Sequence, residues 1–112
     1  MNIQIFGVKK CFDTKKAERY FKERRIKYQF INLEEKPMSK GELKSVTSAV
    51  GLSELIDKNS KAYKALNMDR IINASVKEEL ILENPGLIKT PVVRNGKQAT
   101  VGYKPEVWKD WE

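Results

Sequence analysis

The chain contains no histidine, a single cysteine and no long hydrophobic run. Each absence removes a class of protein. Without histidine there is no Cys-His or Ser-His catalytic pair. With one cysteine there is no internal disulfide, so any disulfide must join a second molecule. A structural zinc site takes about four Cys or His ligands, and one candidate is too few. No phosphate-binding loop motif occurs either, so no bound metal or cofactor is expected. No apolar stretch approaches the roughly 20 residues of a membrane-spanning helix. The opening MNIQIFG lacks the basic head, apolar stretch and small-residue cleavage site of an export signal. The expected location is therefore the cytoplasm, where reducing conditions keep a lone thiol free.

Charge is plentiful but dispersed. The 22 Lys and Arg against 15 Asp and Glu give +7, which raises the question of acidic partners. Basic positions alternate with acidic ones in KKAERYFKERR and KAYKALNMDR, and no run of five basic residues occurs. That pattern describes a solvated surface, so direct contact with nucleic acid or a membrane is not expected. The length of 112 residues, 40% of them apolar, fits one domain over residues 1–112 with a core of modest size.

Periodicity orders the elements. IQIF, between Asn2 and Gly7, reads as a short strand. From Asp13 the positions Ala17, Tyr20 and Phe21 recur at helical spacing to about Arg25, with Asp13 or Thr14 as the cap. Residues 26–33, IKYQFINL, alternate like a second strand, completing a βαβ unit whose strands must be parallel. Pro37 breaks the pattern, and Ser39 followed by Glu42 forms a capping box for a helix from about Lys40 to Val50, stopped by Gly51. Short helical segments follow through residues 52–85, making residues 36–86 a helical block. In LIKTPVVRNGKQATVGYK two β-rich runs flank Asn95-Gly96, which predicts a hairpin with that dipeptide as its two-residue turn. Pro105 to Trp111 suits a terminal helix with Trp108 and Trp111 on one face. The fold class is thus α/β: a mixed four-stranded sheet built from a βαβ half and a hairpin half, the plan of a thioredoxin-like domain. Its core would span residues 1–35 and 87–112, with residues 36–86 inserted between.

The chemistry concentrates at GVKKCFDTKKAERYF, residues 7–21. Cys11 falls in the loop before the first helix, where unpaired N–H groups and the helix dipole favour an anion. Lys9, Lys10, Lys15 and Lys16 add positive charge nearby. Such surroundings lower a thiol pKa from about 8.5 into a range of roughly 3.5 to 7.5. The competing reading is a small buried hydrophobe; the polar neighbours and loop position favour a reactive thiolate. Phe12 reads as a packing residue. Thr14 and Lys15, on the first helical turn, can stabilise the thiolate or serve as ordinary cap and surface residues. Thr90-Pro91 stands at the entrance of the third strand, where proline is tolerated.

FGVKKCFDTKKA, NPGLIKTPVV and VGYKPEVW, in this order and spacing, resemble the arsenate reductase (ArsC) and Spx-like family of thioredoxin-fold proteins over nearly the whole chain. The resemblance implies that Cys11 is the nucleophile, that Pro91 is a cis-proline presenting the Thr90 backbone to it, and that Gly102 and Tyr103 close the adjacent strand. Three arginines hold the oxyanion in the reductases, and the matching positions here are Asp57, Thr90 and Tyr103. Losing those guanidinium forks removes most oxyanion binding, so efficient arsenate reduction is not expected. Lys89 and Arg94 lie nearby in sequence, Arg94 reading as a solvated strand residue. Spx-like regulators carry Cys-x-x-Cys; Thr14 in its second position excludes an intramolecular switch.

The resemblance therefore implies a thiol-dependent oxidoreductase. Its partner would be glutathione or another low-molecular-weight thiol, or a protein mixed disulfide. The alternative it implies is a non-catalytic regulator that binds, near Gly51, the C-terminal domain of the RNA polymerase α-subunit.

Overall fold

The computed structural model describes residues 1–111; Glu112, the end of the expected domain, lies outside the described residues. Strand β1 (Ile3–Gly7) leads into helix α1 (Phe12–Glu23) and then strand β2 (Tyr28–Asn32). Helices α2 (Lys40–Val50), α3 (Leu52–Leu55), α4 (Lys61–Ala65) and α5 (Ala74–Glu83) follow. The hairpin β3 (Val92–Asn95) and β4 (Gln98–Val101) precedes the one-turn helix α6 (Pro105–Trp108). The sheet runs β2-β1-β3-β4, with β1 parallel to β2 and antiparallel to β3. This is the mixed four-stranded, thioredoxin-like plan that the element order implies.

Alternation along β1 divides the core in two. Ile3 and Ile5 face one side, where Ala17, Tyr20 and Phe21 of α1, Val93 and Trp108 complete a buried cluster. Phe6 faces the other side and joins Ile31, Val92 and the apolar faces of the helices between β2 and β3, among them Leu43, Val46, Leu55 and Ile81. Trp108 is the largest wholly buried side chain; its indole N–H donates to Thr100 Oγ1 at 2.8 Å, so the ring is buried without an unsatisfied polar atom.

Local chemistry accounts for the helix ends. The Ser39/Glu42 capping box of α2 is present in both directions, at 2.9 and 3.1 Å. Gly51 ends that helix at φ 88°, ψ 150°, backbone open essentially to glycine alone. Helix α1 ends without glycine: Arg25 takes φ 59°, and the N–H groups of Arg25 and Ile26 reach back to Lys22 and Phe21 in a Schellman pattern.

Two local expectations are corrected. The residue capping α1 is Cys11 itself, at φ −79° and ψ 121°, so neither Asp13 nor Thr14 holds that position. The hairpin loop is Gly96-Lys97, because Asn95 pairs with Gln98 and belongs to the ladder. Only Gly96 has positive φ there, the pattern of a type II′ turn. Asn95 instead accepts the Asn2 N–H through its side chain, tying the hairpin to the start of the sheet.

Candidate functional site around Cys11

The chain turns sharply between β1 and α1. Cys11 N–H donates to Val8 O at 3.1 Å, and Cys11 O accepts the first helical bond from Lys15 N at 3.2 Å. Cys11 is thereby fixed at the head of a 12-residue helix, half-buried, at the end where backbone N–H groups lack helical partners. Across the site its Sγ faces the carbonyl of Thr90, 3.7 Å away and 79 residues distant in sequence. The Thr90–Pro91 peptide is cis, as the resemblance implies.

Burial is the largest influence on the thiol and pushes its pKa up. The Thr14 hydroxyl, the Thr90 side chain and the Thr14 and Asp13 N–H groups, all able to donate to a thiolate, together outweigh it, leaving the thiol below its ordinary value. These partners serve the anion. In the protonated state the thiol points at the Thr90 carbonyl, and the wholly buried Thr14 Oγ1 has no hydrogen-bond partner among the described residues. Ionisation gives that hydroxyl an acceptor.

Gly7 makes room for this arrangement. A Cβ added there would stand 2.6 Å from both Oγ1 and Cγ2 of Thr14, so the helix can sit this close to the end of β1 only over a glycine. The lysines contribute less than their sequence positions suggest. All four are exposed, with Lys15 Nζ 5.7 Å from the Phe12 ring centroid and Lys16 Nζ 5.6 Å from that of Tyr103. Their charges are set in solvent, where screening weakens them.

Phe12 is corrected outright: it is 79% exposed, and packs into neither core cluster. As the first residue of α1 it points away from the sheet, beside the thiol. The signal available in the sequence was its place directly after the helix cap. Among the remaining candidates, Thr90, Lys10 and Asp57 line one cavity, which adjoins the thiol through the Thr90 carbonyl that Sγ faces. Tyr103 stacks edge-on against Trp108. Arg94 is occupied elsewhere: its Nε donates to Gln4 Oε1 at 2.7 Å on the neighbouring strand. Gly51 stands apart, at the junction of α2 and α3, where adjoining residues border β4. Among the described residues no group of three or more Cys, Asp or Glu is placed to hold a metal. No described helix is long and apolar enough to cross a membrane.

The chain has known relatives over nearly its whole length. A model of the ArsC family matches residues 6–111. Global transcriptional regulator Spx 2 of Oceanobacillus iheyensis is similar at 33% identity over 107 residues, spanning 92% of this chain and 78% of that protein. An uncharacterised protein of Bacillus subtilis is 29% identical over 115 residues, 98% of each chain. Among solved structures, an arsenate reductase from Vibrio cholerae superposes with a TM-score of 0.87 at 24% identity, covering 98% of this chain and 97% of that one. The match spans both halves of the sheet and the helices between them, and the chain belongs to the ArsC family.

Proposed function

We propose that the protein is a thiol-disulfide oxidoreductase whose nucleophile is Cys11. The observation that carries this reading is the cap position of Cys11, where a half-buried sulfur with a lowered pKa is surrounded by donors suited to its anion. The thiolate attacks one sulfur of a mixed or small-molecule disulfide. A bond forms from Sγ, the S–S bond breaks, and the departing thiolate leaves with the electron pair and takes a proton from solvent. An external thiol then attacks the Cys11–S–S–R adduct and restores the cysteine. The external thiol is obligatory, because position 14 is threonine and no second cysteine exists. Glutathione or another small thiol fills that role. With Asp57, Thr90 and Tyr103 in place of arginines, and Arg94 bound to Gln4, arsenate is a poor substrate. Cys11→Ser must lose all exchange with a small disulfide; exchange retained by that variant sinks the proposal.

A second reading is favoured by the relatives named as transcriptional regulators and by the exposed bend at Gly51. In it the chain binds the C-terminal domain of the RNA polymerase α-subunit. Gly51→Arg is a poor probe, because φ 88° strains any side chain there. The neighbouring exposed Ser53 and Glu54 give cleaner ones. Binding in a pulldown that survives Cys11→Ser and weakens with Ser53→Arg supports this reading; no binding by the unmodified chain removes it.

A further inference from the structure

A cavity of about 280 Å³ is lined by Lys10, Glu34, Asp57 and Thr90 over an apolar floor that includes Val8 and Ile88, and it adjoins the thiol through Lys10, the residue before Cys11, and Thr90, whose carbonyl Sγ faces at 3.7 Å. Its charged residues come from three separate segments, each held by backbone pairing. Lys10 belongs to the loop that carries Cys11. Glu34 follows β2 and is placed by the Leu33 N–H donating to Gly7 O at 2.9 Å, with its own N–H bound to Asn32 Oδ1 at 3.0 Å. Asp57 is set by a short antiparallel clamp, Asp57 N–H to Leu87 O and Lys89 N–H to Leu55 O, both 2.8 Å. The Ile56–Ile88 bridge lies between those bonds, and Thr90 follows two residues on. The cavity therefore sits beyond the carboxyl ends of the two parallel strands, the usual ligand position in an open α/β sheet.

We infer that this cavity receives the substituent of the sulfur bonded to Cys11, and that it selects a small zwitterionic thiol of amino-acid type. The ammonium of the ligand lies toward Glu34 and Asp57, and its carboxylate toward Lys10. This rests on the thiol-exchange reading and names its substrate class. The volume lies just below the range of about 300–1,000 Å³ typical of drug-sized ligands, which suits a substituent of a few heavy atoms. The placement of charge decides the chemistry. A thiol carrying only negative groups would meet two carboxylates in the cavity against one exposed ammonium. A thiol carrying both signs finds a partner for each. In the reaction the Sγ–S bond forms as the S–S bond of the disulfide breaks, and the second half leaves as a thiolate. The disulfide is the oxidant, and the external thiol that later releases the adduct is the reductant.

The test uses the full chain and four symmetrical disulfides: cystine, cystamine, 3,3′-dithiodipropionate and the neutral bis(2-hydroxyethyl) disulfide. Formation of the Cys11 adduct is timed by mass spectrometry, and each rate is divided by that for the neutral disulfide, for each variant. Comparing one disulfide across variants cancels its leaving-group reactivity. In Glu34→Gln/Asp57→Asn the ratios for cystamine and cystine fall about fivefold, the size expected from one exposed and one half-buried charge pair together. The dithiodipropionate ratio rises. Lys10→Ala lowers the ratio for dithiodipropionate. Asparagine at 57 keeps the acceptor for the Asn59 N–H, bound by Asp57 Oδ1 at 2.9 Å. Glu34→Gln, at an exposed position, carries the test alone if the double variant misfolds. Ratios unchanged in all variants overturn the assignment and leave the exchange chemistry standing. Failure of the folded wild type to react with any of the four, the neutral one included, overturns both.

Discussion

Thr14→Val separates the support of the thiolate from the packing of the helix. The side chain is wholly buried and its hydroxyl has no partner until Cys11 ionises, so valine keeps the shape and removes only the donor. A hydrogen bond to a charged group is worth about 1.5–3 kcal/mol. The sulfur is half-buried, so water recovers part of the loss, and roughly 1 kcal/mol is left after that discount. At a pH below both inflections this cuts the thiolate fraction about fivefold, since about 1.4 kcal/mol is a factor of ten. The alkylation rate falls less, because the more basic thiolate is the better nucleophile, with a Brønsted slope of about 0.4–0.5. About half of the effect cancels, leaving roughly a twofold loss. Above both inflections each protein is fully ionised and the variant reacts roughly twofold faster. The two pH–rate curves therefore cross. Iodoacetamide alkylation of the folded proteins, followed by mass spectrometry, reads this on one cysteine without ambiguity.

Stability supplies a second signature with a definite sign. The Cys11 pKa is lower in the folded than in the unfolded chain, so ionisation stabilises the wild type. That contribution is complete above the unfolded thiol value of about 8.5 and is lost as pH falls through the folded value. In the acid range the variant is spared a buried hydroxyl without a partner and is more stable than wild type, by up to about 1 kcal/mol. The advantage shrinks across the window below about 8.5. Urea denaturation at several pH values measures it. Coincident inflections, or parallel rate curves that never cross, refute the role given to Thr14.

Three further outcomes are expected. Gly7→Ala places a methyl 2.6 Å from Thr14, so thermal or urea denaturation shows a loss of about 1–3 kcal/mol, and Thr14→Val does not relieve it because the Cγ2 clash remains. Thr100→Val leaves the Trp108 indole N–H buried without its acceptor and costs about 1–3 kcal/mol, measured by urea denaturation followed through tryptophan fluorescence. Arg25→Gly relieves a side chain held at φ 59° and stabilises the protein by about 0.5–1 kcal/mol after the added freedom of the unfolded chain is counted, a rise readable as an increase in Tm.

The element order was legible in the residues because each signal is local. Alternation in IQIF, the 3.6-residue spacing of Ala17, Tyr20 and Phe21, and the Ser39/Glu42 capping box act over a few residues and need no partner from elsewhere. Two signals misled at that same range. Asn95-Gly96 is a strong turn dipeptide, yet pairing of Asn95 across the sheet moved the loop one residue on, to Gly96-Lys97. Phe12 read as packing because aromatic rings usually are, while the direction in which α1 leaves the sheet turned it to solvent.

The sequence by itself determined the strands, the helices, the lone thiol and its place at a helix start. Those depend on propensity, spacing and what is absent. Only the tertiary structure decided what surrounds the sulfur. Thr90 reaches Cys11 across 79 residues, Thr14 is pressed against Gly7, and Glu34 and Asp57 share a cavity with Lys10. Such contacts are set by strand order and by which face each helix covers. The same geometry leaves the lysines, conspicuous in the sequence, in water, where their charge is screened, and gives the support of the thiolate to nearby hydroxyl and N–H donors instead.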